Sequence, residues 1–326
     1  MANILSATTR PGRYFRLILV AFMGVGGGHL AAESFFVMEA HSGRVLVAQN
    51  ATAKVPVASL TKIATAIVVM DWAQVTGTDL GTLAIVPHSG AELGGANPMG
   101  LMPGDRIPLR NALYSALMGS DNVAAQTMAH YVGFAMQRQR GQTGDPVKEF
   151  VEEMNVLANA LGMSRTKFAN PSGVDTARER GVSTAADMAR LCVYAMKHPG
   201  FAFFVKQKSR RVSFYRGAQE LAFTVVNTNH LLGQMEINGI KTGYTQLAGQ
   251  CLATSSERKP VVQKLADGRS RMTEQRLICV VLGSADRFAR TRGLVTDGWG
   301  RYDQWRGAGS PVQDAAKEMI VVPAPR

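Results

Sequence analysis

Cysteine is scarce in this 326-residue chain: three residues, too few for a disulfide-dense scaffold and without zinc-ribbon spacing. The six histidines, at positions 29, 41, 88, 130, 198 and 230, show no metal-ligand spacing. Neither a G-x-S-x-G elbow nor a phosphate-binding P-loop occurs, so no metal and no cofactor is expected. No apolar run reaches the ~20 residues that a membrane-spanning helix needs. Internal repeats are absent. Charged residues make up only 18% against 46% hydrophobic, which excludes disorder over most of the length and allows a core in one or two domains. The 36 basic residues outnumber the 24 acidic ones, giving +12. That balance suits an anionic partner without choosing among nucleic acid, lipid and wall polymer.

Acid is also missing from residues 1–32, which carry Arg10, Arg13 and Arg16. An apolar run from Leu17 to Gly28 follows, and a small-residue exit at Ala31-Ala32 precedes Glu33. This is the layout of a secretory signal, either cleaved or kept as an anchor. A buried first helix fits poorly, because Gly24, Gly26, Gly27 and Gly28 would weaken it. Without this segment the chain holds 33 basic and 24 acidic residues, or +9, and is expected to work outside the cytoplasm.

Residues 34–47 read as a hairpin around a His-Ser-Gly turn. From Ser59 the pattern is helical, with Ile63, Ile67 and Met70 on one face. Loops and minor strands are expected over 80–109, and helices over 110–118, 122–133, 146–161, 184–196 and about 286–300. Strand-like stretches cover 202–226, 236–255 and 276–283, with 257–275 as a long hairpin excursion. Strands at both ends and helices between predict an α+β layout, one antiparallel sheet with a helical insertion. Cys251 and Cys279 fall in the two strands after 236–245, where they could be neighbours; they are expected as buried thiols, with a disulfide as the alternative.

Three short motifs carry chemistry. Ser59 and Lys62 stand at i and i+3, close enough for the amine to take the serine's proton once its own pKa is lowered. The plain alternative is an N-cap serine beside a surface lysine. Ser120-Asp121-Asn122 lies between two helices, so Ser120 and Asn122 can converge only from a turn. There they could serve a leaving amine and a substrate carbonyl; simple helix capping would explain the same residues. Lys241-Thr242-Gly243 ends a strand from Ile237 to Tyr244 and offers a cation, a hydroxyl and a stretch free of side chains. An ordinary polar strand end is the alternative.

The order of the three, separated by 58 and 119 residues, matches the S-x-x-K, S-D-N, K-T-G signature of penicillin-binding proteins and class A β-lactamases. Around them, "GRVLVAQNATAKVPVASLTKIATAIVV", "GSDNVAAQTMAHYVG", "FVEEMNVLANALGMSRTKFANPSGV", "VSTAADMARL" and "NTNHLLGQMEINGIKTGYTQLAGQCLATSSER" stand in sequence. The chain thereby resembles the low-molecular-weight penicillin-binding proteins, the serine D-alanyl-D-alanine carboxypeptidases and their endopeptidase relatives, from about Ser34 to Gly300. The resemblance implies the α+β transpeptidase fold of penicillin-binding proteins and β-lactamases, an antiparallel sheet flanked by helices with a helical subdomain. It implies that Ser59 attacks the carbonyl between two D-alanines of a peptidoglycan stem peptide, with Lys62 as base. Ser120 would relay a proton to the leaving D-alanine, with Asn122 beside it. Lys241 and Thr242 would hold the terminal carboxylate along Gly243, and the N–H groups of Ser59 and Tyr244 would form the oxyanion hole. Arg290 matches a basic position near the family's site, although Arg287 is close by. Thr228 stands where many relatives have an arginine, so carboxylate recognition is expected to differ.

The implied layout is a signal at 1–32, a catalytic domain at 33–302 and a short tail at 303–326 without a second β-domain. The main expectation is removal of the terminal D-alanine; the alternative is cleavage of D-alanyl cross-links. The implied partners are stem peptides, β-lactams as covalent acylating inhibitors, and a wall or membrane surface as a peripheral contact, with no nucleic acid. The implied place is the periplasm or the wall side of the inner membrane. A β-lactamase would need a deacylating glutamate on a loop, whereas Glu152 and Glu153 sit in a helical run and read as helix surface. An inactive penicillin sensor is opposed by three intact motifs.

Overall fold

The computed structural model describes residues 32–92, 94–176, 180–265 and 267–324. Residues 1–31 of the expected signal lie outside the described residues. The chain begins with β1 (Ser34–Glu39) and β2 (Val45–Gln49). A 3-10 turn, Ala58–Thr61, leads directly into α1 (Lys62–Thr76). Then come β3 (Leu83–Ile85), α2 (His88–Glu92), β4 (Arg106–Pro108), α3 (Leu109–Met118), α4 (Asn122–Arg140), α5 (Pro146–Ala160) and α6 (Ala185–Lys197). The second half runs α7 (Pro199–Val205), β5 (Ser209–Arg216), β6 (Gln219–Val226), β7 (Ile237–Thr245), β8 (Gly249–Lys264), β9 (Ser270–Ser284), α8 (Arg287–Gly307) and α9 (Ala315–Glu318).

Among these elements there are two antiparallel sheets where one was expected. The larger has the order β2-β1-β9-β8-β7, which joins the N-terminal hairpin to the last strands and leaves β7 at an edge. The smaller, β3-β4-β5-β6, adds to the β5–β6 hairpin two strands of three residues, β3 and β4, that carry too little alternation to announce themselves. Alternation along β9 divides the core. Ile278, Val280 and Leu282 face the helices of the main core, while Leu277, Cys279 and Val281 face Leu294, Val295 and Trp299 of α8. Cys251 belongs to the first group, and Cys279 pairs in register with Thr254. The two thiols are buried and free as expected, but they belong to different cores rather than being neighbours.

α1 is buried on every side from Lys62 to Met70 and passes through the middle of the helical part, with Ile63, Ile67 and Val69 fully buried. The start of the 202–226 stretch is also corrected: residues 199–205 are helical. Pro199 suits a first helical turn, His198 caps the Phe201 amide, and Phe201, Phe204 and Val205 make one buried stripe at i, i+3, i+4. Beyond Ser256 and Leu277, β8 and β9 continue as a two-stranded hairpin that reaches Lys264 and Ser270.

Candidate active site

Three elements meet at the edge of the larger sheet. Ser59 lies in the 3-10 turn before α1, half-buried, after Ala58 in a left-handed conformation (φ 49°). Such backbone strain in a non-glycine residue costs about 1–3 kcal/mol and persists only where surrounding packing enforces it. Lys62, one turn on, has no exposed surface. Its Nζ lies 2.9 Å from Ser59 Oγ, 2.7 Å from Asn122 Oδ1 and 2.8 Å from the Ser172 carbonyl oxygen.

This geometry assigns the protons. Asn122 Oδ1 and the Ser172 carbonyl can only accept, so a neutral amine must spend both hydrogens on them. Its lone pair is then left facing the Ser59 hydroxyl. Burial lowers the Lys62 pKa from 10.5 to about 7, with partial opposition from the nearby Asp121 carboxylate. Asp121 is itself buried, which pushes its carboxyl up, against the amide of Ala124 and the hydroxyl of Ser115 that bond it.

The Ser120-Asp121-Asn122 turn divides its duties. Asp121 caps α4 through the Ala124 amide, while Asn122 turns inward to Lys62 and donates from Nδ2 to the Gly94 carbonyl. Ser120 connects α3 to that cap with φ at 61°, half-buried at the start of the turn.

β7 forms the third wall. Gly243 is pressed so closely on the serine turn that an added Cβ would stand 3.1 Å from Ser59 N and Val57 O. Lys241 and Thr242 are buried. Thr242 Oγ1 is 2.6 Å from Thr228 Oγ1, so Thr228 supports the strand hydroxyl. Lys241 Nζ donates to the Thr242 carbonyl at 3.0 Å. Burial holds its pKa well below the usual lysine range, with further repulsion from Lys62 and Arg287. An arriving carboxylate would offset that cost. The Tyr244 side chain is 63% exposed at the mouth.

Arg290 is not brought to this wall. Its guanidinium pairs with Glu33 at 2.7 Å and lies over the Phe35 ring, at the start of β1. Arg287 stands nearer: its Nη1 donates to the Gly243 carbonyl at 2.8 Å. Asp286 caps α8 through the amides of Phe288 and Ala289, which sets Arg287 at the first helical position, beside the sheet edge.

Sequence reasoning also missed the loop Asn170–Asp175. Asn170 Oδ1 accepts from the amides of Ser172 and Gly173, which aims the Ser172 carbonyl at Lys62. Thr245 Oγ1 donates to Asp175 at 2.7 Å and ties the loop to β7. Asn170-Pro171-Ser172-Gly173 is a dense turn signature, the one sequence signal that marked the place. The arrangement as a whole suits acyl transfer: an activated hydroxyl, a buried amine to take its proton and a cationic strand edge for an anionic end group.

Comparison with known proteins agrees with this chemistry. A family model described as D-alanyl-D-alanine carboxypeptidase matches residues 23–265. A D-alanyl-D-alanine endopeptidase of Pseudomonas aeruginosa is 34% identical over 249 residues, 75% of this chain and 74% of that protein. The D-alanyl-D-alanine carboxypeptidase DacF of Bacillus subtilis is 28% identical over 70% of this chain, which spans only 54% of that longer relative. Among solved structures, a penicillin-binding protein of Listeria monocytogenes in its cefotaxime-bound form superposes with a TM-score of 0.63. The sequence identity is 26%, covering 82% of this chain and 96% of that one.

Proposed function

Since the chain belongs to the D-alanyl-D-alanine carboxypeptidase family of peptidases, we propose that it removes the terminal D-alanine from peptidoglycan stem peptides through a serine-bound acyl-enzyme. The observation that carries this reading is the buried Lys62 amine, bonded at once to Ser59 and Asn122. Ser59 Oγ attacks the carbonyl carbon between the two D-alanines while its proton passes to Lys62. The oxygen that becomes negative is held by the N–H groups of Ser59 and Tyr244, a role supported by the close approach of Gly243 to Ser59. The C–N bond then breaks, and the D-alanine amine leaves with a proton passed through Ser120. Water cleaves the ester and restores Ser59. Lys241 and Thr242 hold the terminal carboxylate, and Arg287 steadies that edge through Gly243.

β-Lactams enter as slow acylating inhibitors of Ser59. The place of action is the outer side of the inner membrane, reached through a signal at 1–32 that precedes the catalytic domain; the domain expected to end at 302 runs on through α8 to Gly307, so the tail is shorter than 303–326. Peripheral contact with an anionic membrane is supported by the β8–β9 hairpin, where Val262 and Met272 form an exposed cross-strand pair among Lys259, Lys264 and Arg271.

A second reading, cleavage of D-alanyl cross-links, is favoured by the endopeptidase name of the 34%-identical relative. Digestion of purified muropeptides followed by mass analysis tests both. Loss of one D-alanine from pentapeptides is the expected result, whereas conversion of dimers to monomers would select the endopeptidase. No change in either would overturn both. Fluorescent penicillin should label the protein and fail to label Ser59→Ala.

A further inference from the structure

Away from the serine, a cavity of about 460 Å³ opens between the start of α3 and the β5–β6 hairpin. Arg110, Arg210 and Arg211 line it together with Glu220, Asn111 and Ser213. All four charged side chains are exposed, and none belongs to an ion pair among the described residues. Arg210 is steadied by the Tyr114 ring, 5.3 Å beneath its guanidinium. β4 pairs with β5 only at Arg106–Tyr215, so the stretch from Arg210 to Ser213 borders the cavity as a strand edge left open by β4. The Ser213 carbonyl on that edge points toward α3 and accepts from Asn111 Nδ2 at 2.8 Å, so a bound chain would pair with the edge on the Arg211 side of it.

Three guanidiniums against one carboxylate, beside an open strand edge, complement an extended peptide that carries several carboxylates and one free amine. Guanidinium forks match carboxylates in bidentate fashion, and Glu220 offers the counter-charge for the amine. We propose that this cavity is a second, non-catalytic subsite for a wall stem peptide, which binds beside the chain being processed. The proposal takes its ligand class from the wall-peptide reading above. Short stretches of packed chain join the cavity to the Ser120 turn. Arg110 and Met118 are about 12 Å apart along α3, and Ser120 follows within two residues. Val225, the cross-strand partner of Arg210, packs against Gly119.

The test uses full-length protein whose serine has been blocked by benzylpenicillin. The probe is a stem tetrapeptide acetylated at its first residue, with a single free amine on diaminopimelate and no terminal D-alanyl-D-alanine, titrated by calorimetry. Saturable binding is expected. It should weaken about tenfold in the double variant Arg110→Ala/Arg211→Ala, a loss typical of removed charge-assisted contacts. Glu220→Gln should weaken binding of the free-amine probe and leave unaffected the form acetylated on diaminopimelate as well. Penicillin acylation of the double variant should match that of the parent, which shows the fold and the serine site to be intact. Absence of binding, or binding indifferent to the arginine substitutions, overturns the subsite. Failure of the parent to acylate would instead count against the catalytic reading.

Discussion

Lys62 is the residue on whose environment the proposed chemistry rests. Its pKa near 7 predicts that acylation by penicillin rises about tenfold per pH unit below 7 and levels off above it. Stopped-flow acylation rates from pH 5 to 9 check this, and a flat profile would remove Lys62 as the base. The same shift has a stability sign. The unfolded chain holds the lysine proton up to 10.5 and the folded one only to about 7, so between these values the unfolded state binds more protons. Stability should therefore gain from rising pH in that window, and Lys62→Met should reduce the slope of the urea midpoint between pH 7 and 9.

Arg287 touches the site only through the Gly243 carbonyl and the field it places on Lys241. Arg287→Ala is expected to raise KM several-fold for a substrate ending in a carboxylate, with a smaller change in kcat. Steady-state D-alanine release measures the split. A fall in kcat at unchanged KM would mean that the arginine acts elsewhere.

At the scale of elements, the loop Asn170–Asp175 is held against the serine turn as tightly as packing permits. Gly173 has φ at 77°, and a Cβ there would come within 2.0 Å of the Ala58 carbonyl oxygen. Gly173→Ala should cost about 2–3 kcal/mol through backbone strain and the displaced turn. For a domain of this size that lowers the melting temperature by roughly 5–10 °C. Penicillin labelling at 25 °C should slow as well, because the Ser172 carbonyl moves away from Lys62. Normal labelling in a destabilised variant would show that the loop is structural alone.

Elements differed in how plainly the sequence announced them. α1, α4, α5 and α6 are long and periodic; the expected ranges of α5 and α6 agree with those found to within a residue, α4 runs seven residues further, and α1 starts three residues after Ser59. Residues 202–205 of α7, Ala-Phe-Phe-Val, have β-like content, and the His198-Pro199 helix start outweighs it. The short strands β3 and β4 draw their stability from neighbours, so no local pattern could mark them.

For the whole molecule, net charge matters less than where it gathers. The β8–β9 hairpin extends past the sheet as two strands, with Val262 at 62% and Met272 at 63% exposure beside Lys259, Lys264 and Arg271, which enter no ion pair among the described residues. Binding to vesicles of phosphatidylglycerol and phosphatidylethanolamine should fall with salt, since exposed charges are screened beyond ~8 Å at physiological ionic strength. Val262→Asp/Met272→Asp should abolish it. Flotation assays read both effects, and undiminished flotation of the variant would exclude the hairpin as the contact.

The linear chain by itself determined the family resemblance and the α+β class, and it singled out Ser59, Lys62, Asn122 and Lys241 as candidates, because those depend on local spacing and on residue chemistry. Only the folded chain decided the rest. It placed the Ser172 carbonyl and Asn122 on one amine from 110 and 60 residues away, and chose Arg287 over Arg290 at the sheet edge. It also parted Cys251 from Cys279. Each of these depends on contacts between distant segments, and on the burial that those contacts create, neither of which a local pattern contains.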